Sequence, residues 1–184
     1  ASGGLKDGFV ARFDGGLTVL HQSTYFGGTA HDQINAIAIH PINGRIYATG
    51  DTASPALRGK PSGQLIPGGN LDSFVARFHQ DLSGLQAVSY YGGIGEDSAH
   101  ALGISKYSGE IYIAGSSASP TLPGTPSGIQ EINAGGTDAY VARFDAGLTA
   151  VRQATFLGGL GSDFANALAL TESRTYVAGE TSSA

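Results

Sequence analysis

The chain has 184 residues, a formal net charge of −5 and 41% apolar residues, with 29 Gly and neither Cys, Met nor Trp. The missing Cys excludes disulfides, thiolate metal sites and Cys nucleophiles. Acidic charge without a basic stripe excludes a nucleic-acid footprint and gives anionic membranes nothing to attract, and high Gly with little Lys or Glu disfavours long helices.

In chain order, the first apolar run is Asp7-Gly-Phe-Val-Ala-Arg-Phe13. It returns as Asp72-Ser-Phe-Val-Ala-Arg-Phe78 and Asp138-Ala-Tyr-Val-Ala-Arg-Phe144, at offsets of 65 and 66 residues. A second run ends in a double glycine: Thr24-Tyr-Phe-Gly-Gly28, Ser89-Tyr-Tyr-Gly-Gly93 and Thr155-Phe-Leu-Gly-Gly159. An aspartate follows each, at Asp32, Asp97 and Asp163. Then come Asn35-Ala-Ile-Ala-Ile39 and Ile46-Tyr-Ala-Thr-Gly50, with counterparts at His100–Ile104 and Ile111–Gly115, and at Asn166–Leu170 and Thr175–Gly179. Five landmarks in a fixed order, three times over, define a tandem repeat.

Each unit therefore predicts four short strands. Strand a is the Ala-Ile-Ala-Ile type and strand b the Ile-Tyr-Ala-Thr-Gly type. Strand c is the Phe-Val-Ala-Arg-Phe type, and strand d is the run ending in Gly-Gly. Asn43-Gly44 and Ser108-Gly109 predict tight a–b turns; the third copy shortens this turn to Thr171–Arg174. Strand c is apolar on both faces, which requires burial on both, and strand a is expected to be two-sided with small residues suited to crowding. Between b and c lie long inserts, residues 51–71 and 116–137, rich in Pro and Gly. They are expected to be exposed, ordered loops where binding would be built.

The order and spacing of Asp72–Phe78, Ser89–Gly93, Asp97 and Ile111–Gly115, with their counterparts, resemble the bacterial β-propeller repeat family called SBBP. The resemblance implies an all-β fold of four-stranded antiparallel blades in extracellular or cell-surface bacterial proteins, often as one module of a longer chain. It implies no reaction and no cofactor. The absence of Trp disfavours WD-type, quinone-docking and sialidase-type blades. The expected organisation is one propeller segment: residues 1–33 hold strands c and d, 34–98 and 99–164 are full blades, and 165–184 hold strands a and b. These three blade equivalents fall short of the four to eight that close a ring. Further blades are therefore the expected partners, supplied by a longer chain or by a second copy.

The candidate site residues are the recurring charges. Asp32, Asp97 and Asp163 are expected either to brace turns by accepting local N–H groups or to form a ring of carboxylates for a cation or sugar hydroxyls. Arg12, Arg77 and Arg143 are expected to pair with Asp7, Asp72 and Asp138, or with the turn aspartates. The five His residues occupy non-equivalent positions with no metal-ligand spacing, and no Ser sits in a nucleophile motif. No catalytic, cofactor or metal residue is assigned. The functional expectation is a non-catalytic structural or interaction scaffold, secreted or at the cell surface and contacting a surface protein or glycan. The alternative is a lectin-like propeller with one weak site per blade.

Overall fold

The computed structural model describes residues 3–184, so residues 1 and 2 of the first expected unit lie outside the described residues. It is all-β, with twelve strands and no helix among the described residues. The strands are β1 (Gly8–Phe13), β2 (Leu20–Phe26), β3 (Asp32–Ile39), β4 (Ile46–Thr52), β5 (Asp72–Phe78) and β6 (Leu85–Tyr91), then β7 (Asp97–Ile104), β8 (Ile111–Ser117), β9 (Asp138–Phe144), β10 (Val151–Leu157), β11 (Asp163–Leu170) and β12 (Thr175–Thr181). They form four antiparallel sheets. Two are four-stranded, in the orders β3-β4-β5-β6 and β7-β8-β9-β10, and two are two-stranded, β1-β2 and β11-β12.

Three apolar cores lie between successive sheets. Val10 and Phe26 meet Phe74, Ala76 and Phe78 between the first and second sheets. Tyr47, Val75 and Tyr91 meet Ile111, Ile113, Tyr140 and Phe144 between the second and third. Ala101, Ala114 and Ala139 meet Ala165 between the third and last. The middle copy of strand c is buried along its length, as its two-sided pattern predicts: in β5 every residue but Arg77 is buried, whereas in β1 Phe9 and Phe13 are exposed. Strand a departs from expectation. Ala99 and Ala101 are buried in β7, but Ile37 and Ile39 in β3 are 52% and 66% exposed. Only the middle copy of this strand has another strand a on both sides, β3 on one and β11 on the other.

Strand a carries a bulge at the same place in all three copies. The register slips between Ile34 and Ala36, between Ala99 and Ala101, and between Ala165 and Ala167. The extra residues are Asn35, His100 and Asn166, which explains why this landmark tolerates His and Asn alike. A bulge pushes the neighbouring carbonyl towards the partner strand, and the partner residue there is the glycine that ends the Ile-Tyr-Ala-Thr-Gly motif. A Cβ on Gly50 would lie 1.9 Å from Gln33 O, and one on Gly115 would lie 1.9 Å from Ser98 O.

The turns are built differently from a two-residue hairpin. At the a–b connection Gly44 and Gly109 take positive φ (67° and 71°), while Asn43 and Ser108 do not. The c–d turns put a leucine in the left-handed region in every copy: Leu17, Leu82 and Leu148, at φ 57°, 59° and 61°. The b–c inserts fold back rather than project. Lys60 O and Gln64 O accept the N–H groups of Val88 and Tyr90, so the insert covers the outer edge of β6. Gly124 O and Gln130 O do the same for Ala154 and Phe156 on β10.

Candidate functional site

The recurring aspartates lie where the d–a connection meets the end of strand b. Each Gly-Gly turns the chain out of strand d, and strand a starts at the aspartate itself. This returns the carboxylate onto the turn. Asp32 Oδ2 accepts Gly28 N–H at 2.8 Å, Asp97 Oδ2 accepts Gly93 N–H at 2.8 Å, and Asp163 Oδ2 accepts Gly159 N–H at 2.9 Å.

A serine just beyond strand b completes the arrangement. The hydroxyls of Ser54, Ser119 and Ser183 donate to those same oxygens at 2.8, 2.8 and 2.7 Å. Each serine oxygen in turn accepts an N–H from the turn, that of Ala30, Gly95 or Gly161. Two residues earlier, the hydroxyls of Thr52, Ser117 and Thr181 accept the N–H of the same serines. Thr52 also donates to Asp32 Oδ1. The result is a polar box around each aspartate Oδ2, repeated three times, while Asp97 Oδ1 is buried without a hydrogen-bond partner. Asp32, Asp97 and Asp163 are 1%, 0% and 3% exposed. Sequence reasoning identified the aspartates but not the serines. The signal was present as the Thr/Ser-x-Ser spacing of 52–54, 117–119 and 181–183, which reads at first as ordinary loop polarity.

A second carboxylate approaches each turn from strand c. A Cβ on Gly92 would lie 2.1 Å from Asp72 Oδ1 and 2.7 Å from Asp97 Oδ2. Gly27 lies in the same way between Asp7 and Asp32, and Gly158 between Asp138 and Asp163. The first glycine of each Gly-Gly is thus fixed by two acidic side chains that leave no room for a methyl group. The strand-c carboxylates are themselves held from the b–c insert: Asp72 accepts Gly68 and Gly69 N–H, and Asp138 accepts Ala134 N–H and the Gln130 amide.

Electrostatics differ between copies of the box. Burial pushes Asp72 and Asp97 above the ordinary carboxylate value, outweighing the amide and hydroxyl donors around them. Asp163, in the last half-sheet, lies below that value because the Ser183 and Thr181 hydroxyls and Gly159 N–H hold its charged form.

The expected pairing of Arg12, Arg77 and Arg143 with Asp7, Asp72 and Asp138 is corrected. The arginine stands five residues beyond the aspartate on one strand, roughly 16 Å away at strand rise. Arg77 Nη1 instead donates to Ala146 O at 3.3 Å on the next sheet, and Arg143 pairs with Glu110 at 3.5 Å. Arg152 pairs with Asp145 at 3.9 Å. No group of three or more His, Asp or Glu side chains placed to hold a metal ion occurs among the described residues.

No family model matches the chain, and no curated protein matches it. The chemistry of the box therefore stands on its own geometry. Its carboxylates are turned inward, and their Oδ2 atoms accept a backbone N–H of the turn and the hydroxyl of the serine beyond strand b.

Proposed function

We propose that this chain is a non-catalytic structural or interaction scaffold made of β-propeller blades, acting outside the cell or at its surface in company with further blades. The observation that carries the reading is the repeated box at Asp32, Asp97 and Asp163. It places the most regular polar chemistry of the molecule in the bracing of turns, where it locks one sheet's end to the next strand. Four sheets separated by three apolar cores support blades as the unit of construction. The exposed apolar side chains of Phe9, Phe13 and Leu157 support further blades as partners. The extracellular setting comes from the repeat's resemblance.

The test is Asp97→Ala, measured by thermal denaturation together with binding to a glycan array. A bracing role gives a lower Tm and an unchanged array profile. Glycan binding by the parent that disappears in the variant without loss of Tm overturns the reading in favour of a lectin.

A further inference from the structure

The c–d turn of the second sheet departs from its two counterparts at one residue. In the first and third sheets an aspartate opens this turn and braces it. Asp14 Oδ1 accepts the N–H groups of Thr18 and Val19, both at 2.7 Å, and Asp145 Oδ1 accepts those of Thr149 and Ala150 at 2.7 and 3.1 Å. The other oxygen of each carboxylate accepts the threonine hydroxyl. The second sheet has His79 in this place. The turn keeps its shape, with Leu82 left-handed like Leu17 and Leu148, but the brace is gone. Ser83 N–H turns instead to Asp81 Oδ1 at 3.0 Å. Gly84, the counterpart of Val19 and Ala150, has lost its carboxylate acceptor because an imidazole stands there. Hydrogen bonds to a carboxylate are among the stronger ones, so the second copy forgoes stabilisation that both others keep.

The replacement frees a side chain. His79 lies beside Gln86, whose amide Nε2 is 3.1 Å from His79 Nδ1. With Asn43, Arg45, Gln80 and Asp81 they line a cleft of about 410 Å³ at the turn end of the second sheet, and no apolar side chain enters its wall. Two groups in the cleft lack partners. Gln86 Oε1 is buried without a hydrogen bond, and Arg45 has no ion-pair partner among the described residues. In the third sheet the residues equivalent to Arg45, His79 and Gln86 are Glu110, Asp145 and Arg152. There the charges are taken up, Glu110 by Arg143 and Asp145 by Arg152. One sheet has thus exchanged paired charges and a turn brace for an open set of hydrogen-bonding groups.

The lining sets the ligand chemistry. A wall without apolar side chains gives a hydrophobic molecule nothing to bury against. The Arg45 guanidinium presents a planar fork of donors that matches a carboxylate. The amides of Asn43, Gln80 and Gln86 each carry both a donor and an acceptor, which suits neighbouring hydroxyls. The volume lies at the small end of ligand sites. We propose that this cleft binds a single uronic acid residue of an acidic glycan, its carboxylate on Arg45 and its hydroxyls among the three amides and His79. The site belongs to one sheet alone. It is separate from the repeated aspartate boxes and does not depend on the blade reading.

The experiment titrates the full chain with sodium glucuronate and follows backbone amide shifts by NMR. Saturable shifts confined to residues 43–45 and 79–86 are expected. Glucose and acetate, each offering half of the recognised chemistry, are expected to bind at least about tenfold more weakly. Arg45→Gln is expected to lose binding by a similar factor at unchanged Tm. His79→Asp is expected to lose binding and to raise Tm, because the new carboxylate regains the Ser83 and Gly84 N–H groups and repels the ligand. A parent without saturable shifts at millimolar glucuronate overturns the inference, as does one that binds acetate equally well. An Arg45→Gln variant that binds like the parent overturns it too. So does a His79→Asp variant that binds like the parent or melts at a lower temperature.

Discussion

Gly115 and Leu148 show how single side chains are fixed by the backbone around them. Gly115 faces the bulge of β7, where a Cβ would meet Ser98 O at 1.9 Å. Relief requires the bulge itself to shift, so Gly115→Ala is expected to cost about 1–3 kcal/mol, read from urea denaturation. Leu148 holds a left-handed conformation that costs an L-residue about 1–2 kcal/mol, yet its side chain is fully buried. Leu148→Gly is therefore expected to destabilise, because the burial lost is worth about 1.5–3 kcal/mol before any cavity cost. Leu17 has the same φ but is 78% exposed. Leu17→Gly is expected to leave the stability of a single chain within about 1 kcal/mol of the parent.

The carboxylates make a further prediction at this scale. Asp97→Ala strands the Gly93 N–H in a half-buried turn, at a cost of about 1 kcal/mol. Asp72 has a folded-state value raised by burial above the ordinary 3.8. The folded chain thus holds a proton there more tightly than the unfolded chain does, and stability falls as pH rises from the ordinary value through the raised one. Asp72→Asn removes this contribution. The stability of the variant relative to the parent is expected to increase as pH is raised through that window, measured by paired denaturation curves. A constant difference across the window would contradict the assignment.

At the scale of elements, the b–c inserts protect the sheets' outer edges. An unpaired d strand offers a row of N–H and C=O groups to any neighbouring chain; here Lys60 and Gln64 occupy that row on β6. Deleting residues 60–64 is expected to leave the Val88 and Tyr90 amides exchanging rapidly with deuterium and to raise the rate of aggregation. The strands themselves were legible because three copies of each landmark fix both identity and order. The bulge was not, since Asn35, His100 and Asn166 share no side-chain property beyond polarity. Nor was the course of the inserts, because Pro and Gly mark a departure from regular structure without saying against what it rests. Of the site, Asp32, Asp97 and Asp163 were legible from their fixed distance after Gly-Gly. Ser54, Ser119 and Ser183 were hidden among other loop hydroxyls, and the arginine–aspartate pairs fail because five residues of extended strand separate the two charges.

For the whole molecule, the two end surfaces dominate behaviour in solution. Phe9, Phe13 and Leu157 keep apolar area in water unless another sheet covers them, and burial of such area contributes about 25 cal/mol per Å².

The clasp of Phe26 and Tyr91 always runs from a d strand forward to the sheet that follows, so the stack has a direction and its ends are unlike. Contacts of this kind are heterologous: they propagate unless the angle between units brings the last surface back to the first. A larger side chain at Ala101 or Ala165, where sheets meet through small residues, would therefore change that angle, at a packing cost of about 1–3 kcal/mol, and with it the direction in which further sheets add.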